Sequence, residues 1–177
     1  MAKLCVIIAP DPRLKITARP VAAVDDAVRR LMDDMLETMY AAPGIGLAGP
    51  QVGDARRVLV LDIAHRDEAP SPLCVANPEI LWVSEETSVD EEGCLSLPDH
   101  YAEVERPARV RVRFLDYQNE TREIEAAGAL ATCLQHEIDH LDGTLFVDHL
   151  SLLKRNIILR KLKKAKKLGP QPAMARP

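Results

Sequence analysis

Aromatic side chains are scarce in this chain: two Phe, three Tyr and one Trp, 3% of 177 residues. A core must therefore come from Leu, Val, Ile, Ala and Met, and the 47% hydrophobic content allows one in a single domain of this length. Long apolar runs are missing too. The opening M-A-K-L-C-V-I-I-A-P breaks at Pro10, Asp11 and Arg13, too early for a secretory segment or a membrane span, so the expected location is the cytoplasm. Cys5, Cys74, Cys94 and Cys133 lack the close spacing of a disulfide framework. Reduced thiols are expected, one of them available as a ligand. Acid is absent after Asp148: residues 1–153 carry 14 Lys and Arg against all 27 Asp and Glu, a net charge of −13, whereas 154–177 carry nine cations and no acid. Such a split fits either a solvated helix face or a basic end that meets something anionic.

What is present divides into recognisable segments, with no internal repeat. Between Asp25 and Tyr40, residues Val28, Leu31, Met32, Met35, Leu36 and Met39 recur at three- and four-residue steps, the stripe of an amphipathic helix. A-P-G-I-G-L-A-G-P-Q-V-G follows, its four glycines and two prolines predicting a loop. Runs at Arg57–Asp62, Leu73–Val83 and Val110–Tyr117 read as strands. The alternation R-V-R-V-R-F from Arg109 to Phe114 implies one buried and one solvated face, hence an antiparallel sheet. A second helix is expected over Ala127–Leu141, with Gly143 as its left-handed stop. A third is expected over Leu150–Leu168, with Leu153, Ile157 and Leu162 on its apolar stripe and cations elsewhere. Gly169 and Pro170 end it, and the last residues are expected to be disordered.

The chemistry concentrates in Q-H-E-I-D-H. On a helix, H-E-x-x-H sets His136 and His140 one turn apart on one face, close enough to share an ion, with Glu137 beside it to move a proton. Metal-lowered water acidity plus an adjacent carboxylate suits hydrolysis. The same pattern on an exposed helix is merely solvated, and Leu134, Ile138 and Leu141 give the segment a buried side without deciding the matter. A catalytic site needs a third ligand. Cys133 lies on the histidine face but about 10.5 Å of helix rise from His140, which suits pocket lining better than coordination. Cys94, in E-E-G-C-L-S-L-P, comes from a separate segment and is preferred on chemical grounds.

Three segments taken together, G-I-G-L-A-G-P-Q (44–51), E-G-C-L-S-L-P (92–98) and Q-H-E-I-D-H-L-D-G (135–143), resemble the three motifs of the peptide deformylases, in order and approximate spacing. The resemblance implies that Cys94, His136 and His140 bind one divalent metal ion, Fe2+ in the cell with Ni2+, Co2+ or Zn2+ as substitutes. It implies Glu137 as general base and then acid, and Gln51 with the backbone N–H of Leu95 as an oxyanion hole. Ile45, Gly46 and Gly93 match positions whose backbone pairs with an extended peptide, and Cys133 is assigned to the adjoining pocket. Two positions depart from the pattern: Gly49 stands where alanine is usual, which should loosen the loop carrying Gln51, and Tyr101 stands where many members have arginine. His65, His100 and His149 lie outside the motifs and read as surface or loop residues.

The expected fold is α+β, antiparallel sheet around the helix that carries H-E-x-x-H, with one catalytic domain over 1–168, the basic helix 150–168 included, and a disordered tail over 169–177. The expected activity is removal of the formyl group from N-terminal formylmethionine of nascent polypeptides, releasing formate. Contact with the ribosome through the basic helix is a further expectation, and neither membrane nor DNA is an expected partner. The rivals are a zincin-type metallopeptidase, which E-G-C-L-S argues against, and a silent binder of peptide ends or ribosomes, which the presence of Glu137, Cys94 and Gln51 argues against.

Overall fold

The computed structural model describes residues 3–64 and 68–168. The expected tail and His65 lie outside these residues. Helix α1 spans Asp26–Ala41, its first turn capped by the Asp25 carboxylate, which accepts from the Val28 N–H at 2.9 Å. Strands β1 (Gly46–Ala48), β2 (Val58–Leu61), β3 (Leu73–Val83), β6 (Arg109–Leu115) and β7 (Thr121–Ala127) form one sheet in the order β1-β2-β3-β6-β7. Strands β4 (Thr87–Cys94) and β5 (Leu97–Pro107) form a separate two-stranded ribbon. Every named strand pairs antiparallel. Helix α2 spans Gly128–Leu141 and α3 spans Leu152–Leu168. The expected α+β architecture is what the chain adopts.

The large sheet is packed on both faces. In β2 successive residues point to opposite sides, and both sides are buried: Val58 and Val60 meet Met32, Met35 and Met39 of α1, while Leu59 and Leu61 meet Leu134, Ile138 and Leu141 of α2. Each such large apolar side chain contributes roughly 1.5–3 kcal/mol of transfer free energy. The aliphatic and methionine core implied by the missing aromatics is thus realised, with Phe114 as the one aromatic in these two clusters of buried residues. A third cluster joins Ile7, Leu14, Leu97, Val104, Phe146 and Leu162, seating the N-terminal segment and α3 on the ribbon.

Several expectations need correction. The Gly-rich segment is not all loop: Gly46–Ala48 forms the edge strand β1, and Gly49–Val52 a 3-10 turn. At Gly49 the backbone passes close to the following segment: a Cβ there would lie 2.8 Å from the Arg56 carbonyl oxygen, an approach that glycine permits. The packed face of α3 is Leu162 with Ile158 and Leu159, whereas Leu153 is 72% and Ile157 43% exposed. The β4–β5 ribbon and β7 have no counterpart among the expected strands. Polar and charged residues dominate T-S-V-D-E-E-G-C, whose one buried member is a carboxylate, Glu92, so no apolar alternation marks the strand.

Candidate metal centre and active site

Helix α2 presents opposite faces to two neighbours. Ala131, Leu134, Ile138 and Leu141 face the sheet, and His136 and His140 lie toward the ribbon, where Cys94 ends β4. The ligand atoms of Cys94, His136 and His140 all lie within 4.8 Å of one another, and among the described residues they form the one such group. Cys94 Sγ is 3.2 Å from His140 Nε2. His136 Nδ1 lies 2.7 Å from Glu92 Oε2; with the carboxylate ionised, Nδ1 carries the donated proton and Nε2 remains free as a ligand. One thiol and two imidazoles converging from two segments form a donor set that suits a borderline-soft divalent ion. Cys133 is outside that group. Its thiol donates to the Ile45 carbonyl at 3.6 Å, and burial pushes its pKa well above the ordinary thiol value.

The charges around this group are buried and interlocked. Arg106 of β5 donates from Nε and Nη2 to the two oxygens of Glu92, and from Nη1 to Asp139 Oδ2 at 2.9 Å. Asp139 also meets His149 Nε2 at 2.7 Å. Glu92 and Arg106 are each 5% exposed, so neither charge is tolerable without the other. Burial alone would raise the pKa of Glu92, but its hydrogen bonds to His136 and Arg106 outweigh that and hold it at about 2. For His136, burial opposes charge and the bonds to Cys94 and Glu92 favour it, with a raised pKa as the result, while burial and the charge of His136 keep His140 neutral. Any bound cation would compete for the same nitrogens.

Glu137 is 3% exposed, and burial pushes its pKa up to about 7, the range in which a carboxyl group both takes and returns a proton. Its Oε2 is buried with no hydrogen-bond partner among the described residues, and Glu137 borders the cleft over the site. Gly46 of β1 makes room for it: a Cβ at that position would lie 2.3 Å from Glu137 Oε1. Gln51, 1% exposed, is fixed by the Ala48 N–H on Oε1 at 2.8 Å. Its Nε2 points at Cys94 Sγ (3.5 Å) and Ser96 Oγ (3.2 Å). Leu95 follows the thiol in the two-residue turn between β4 and β5.

A cleft of about 680 Å³ opens over these groups, with Gly44, Ile45 and Gly46 on one wall and Gly93, Cys94 and Leu95 on the other. Tyr101 is paired with Gly93 across the ribbon and covers it, 66% exposed on the rim. His100 is also on the rim, its Nδ1 2.7 Å from the Pro98 carbonyl. Glu92, Arg106, Asp139 and Ser96 were not singled out from the sequence. Glu92 carried a signal, a carboxylate two residues from a presumed ligand within the same motif. Arg106 had none, since only the ribbon's register brings it there.

A buried carboxylate beside convergent thiol and imidazole donors, in an open cleft, defines a metal-dependent hydrolase on an α+β scaffold. Residues 3–156 match the family model described as polypeptide deformylase. The chain is 63% identical over 169 residues to the peptide deformylase of Methylocella silvestris, covering 94% of this chain and 86% of the relative. It is 58% identical over 161 residues to that of Mesorhizobium japonicum, covering 91% and 92%. The crystal structure of the peptide deformylase from Ehrlichia chaffeensis superposes with a TM-score of 0.89 at 41% identity, over 94% of this chain and 98% of that one. A structure from the same organism in complex with actinonin gives 0.88 at 43% identity, over 93% and 98%. The chain belongs to the polypeptide deformylase family. No helix among the described residues is long and apolar enough to cross a membrane.

Proposed function

We propose that this deformylase receives the N-formylmethionyl end of a nascent polypeptide as an extended strand and hydrolyses the formyl amide at Glu137, Gln51 and Leu95. The observation that carries the reading is the buried, unpartnered Glu137 oxygen beside three metal-binding donor atoms that lie within 4.8 Å of one another. The edge strand β1 has one neighbour, β2, which leaves its outer edge beside Ile45 and Gly46 open to a peptide, opposite Gly93, while the Ile45 carbonyl itself is turned to Asp62 and Cys133. Cys133 lines the adjoining pocket as a neutral, soft surface suited to a thioether side chain.

Cys94, His136 and His140 would hold one divalent ion, Fe2+ in the cell with Ni2+, Co2+ or Zn2+ as substitutes, which when bound polarises the formyl carbonyl and acidifies water. Glu137 takes a proton from the attacking water. As negative charge builds on the carbonyl oxygen, the Gln51 Nε2 and the Leu95 N–H donate to it more strongly than to the neutral substrate. The C–N bond breaks, Glu137 returns the proton to the departing nitrogen, and formate and a free amine leave. The zincin reading lacks a use for Cys94, and the silent-binder reading lacks a use for a buried Glu137.

The assay that tests this compares formyl-Met-Ala-Ser with its acetyl analogue and with an internal peptide. Formate release from the first alone is expected; cleavage of the internal peptide would instead favour a metallopeptidase. A formylmethionyl substrate fits an enzyme at work in the cytoplasm, beside translating ribosomes. Helix α3 supports a contact there, since Arg160, Lys163, Lys164, Lys166 and Lys167 border a groove with Pro10 and Leu153 and Ile157 are left uncovered. Replacing Lys161, Lys163, Lys164 and Lys167 by glutamine should reduce ribosome co-sedimentation at low salt and spare peptide turnover. Unchanged co-sedimentation would return the cations to a solubility role.

A further inference from the structure

Between α1 and β1 the chain makes a short turn, Ala42-Pro43-Gly44, that lines the cleft. The residues on either side of it are bonded to one side chain's residue. Tyr40, before the turn, donates its hydroxyl to Asp62 Oδ2 at 2.6 Å. Ile45, after it, accepts at its carbonyl from the Asp62 backbone N–H at 2.9 Å. Asp62 follows Leu61, whose register partner is Gly46, so this bond extends the β1–β2 ladder by one step. The carboxylate is 5% exposed and is held in turn by the Ala64 N–H on Oδ1 and the Ser71 N–H on Oδ2, each at 3.0 Å. Tyr40 is 45% exposed, but desolvation at its hydroxyl end and then the bond to Asp62 push the phenol well above its ordinary pKa, so the hydroxyl stays a donor.

We infer that Tyr40 and Asp62 are positioning residues for deformylation: a clamp that closes the Ala42–Gly44 turn into a fixed loop and sets the Ile45 backbone at the height an extended peptide requires. The inference rests on the peptide-strand reading of the cleft. Neither side chain borders the cleft or the donor group. Without the clamp, the turn remains tied to α1 only through the Gly44 N–H to the Met39 carbonyl at 3.0 Å and the bonds of Ala42. The edge would then sample several heights, and only some accept the substrate backbone. Binding suffers while the chemistry of the productive complex does not.

Tyr40→Phe removes one oxygen and leaves the ring, so it is the decisive variant; Asp62→Asn keeps an acceptor oxygen and is the partial rescue against Asp62→Ala. For formyl-Met-Ala-Ser, Tyr40→Phe is expected to raise KM by about 3- to 30-fold, a part of the roughly 10- to 150-fold that one hydrogen bond to a charged group is worth, with kcat within about twofold. For formyl-methionine, which has no backbone to pair beyond its first residue, the KM change should be smaller. A purely structural role would move both substrates alike. Amide hydrogen exchange reads the clamp without turnover: the Asp62 and Ser71 N–H groups should exchange about tenfold faster in Tyr40→Phe. Unchanged exchange overturns the clamp. Faster exchange with unchanged KM, or with kcat falling in step with kcat/KM, overturns its role in positioning substrate. A wild-type protein that releases no formate overturns the functional reading and with it the substrate role, while the exchange result still decides whether the clamp exists.

Discussion

Helix α2 buries two faces, and they are stabilised by opposite means. Toward the sheet, Leu134 and Leu141 are fully buried among aliphatic side chains, and any side chain of similar volume and polarity would serve there. Toward the ribbon, His136, Glu137 and His140 are buried as well, yet the thiol–imidazole and imidazole–carboxylate contacts there need particular partners at particular distances. The first face tolerates variation in detail because dispersion and water exclusion are not directional. The second does not, because a buried charge or donor without its partner costs the full desolvation of that group. One side of the helix is held by packing alone, whereas the other is held by specific partners and also carries the chemistry.

The largest effect that would sharpen this contrast is expected at Cys94. Cys94→Ser should take metal content from about one ion per chain to a small fraction, whereas Cys133→Ser should keep it, since a three-residue catalytic set has no spare ligand. Metal analysis of the purified variants decides, and the reverse dependence would exchange the two assignments. Next, Glu137→Gln should retain metal and fold and lose about 10²–10⁴-fold in turnover, the amide being unable to accept water's proton. Near-normal formate release from the metal-loaded variant would take Glu137 out of the chemistry.

A third pair of substitutions weighs the faces directly. Arg106→Met leaves Glu92 charged and buried, at a cost of about 3–5 kcal/mol; Leu134→Ala opens a cavity, at about 2–5 kcal/mol. Urea unfolding should find the two losses comparable. Metal affinity separates them, falling in Arg106→Met through the freed Glu92 and His136 and changing little in Leu134→Ala. Equal affinity in both would mean that the ribbon charges do not orient the ligand.

The smallest effect is one of pH. Glu92 has its folded pKa depressed from the ordinary 4.5 to about 2, so its contribution is fully present above about 4.5 and is lost as pH falls toward 2. The magnitude is roughly 3 kcal/mol. Between pH 5 and pH 2 the urea midpoint of the metal-free protein should therefore fall more steeply than that of Glu92→Gln. Parallel curves would break the comparison, since the polar face would then owe nothing to ionised Glu92.

How much of this was legible beforehand follows the same division. The apolar stripe of α1, the strand Leu73–Val83 and the alternation of Arg109–Phe114 were readable because periodicity reports burial directly. The donors on α2 were readable because a four-residue step on a helix is local geometry. The ribbon was not, since Thr87–Cys94 buries a carboxylate where a strand ordinarily shows an apolar residue, and its partner Arg106 lies 14 positions away. On α3 the stripe was found but its facing was misread: Leu153 and Ile157 fit the period, yet among the described residues it is Ile158, Leu159 and Leu162 that pack on the core. Period fixes which residues share a face, and neighbours decide which face is covered.

The clearance at Gly46 carries a consequence for how such sequences change over time. A methyl group there and the carboxylate of Glu137 claim the same space, the nearest approach being 2.3 Å. The two positions are therefore one unit of inheritance. In a set of related chains, alanine at the first should be rare wherever the acid at the second is kept, because the methyl group could be admitted only by moving that carboxylate.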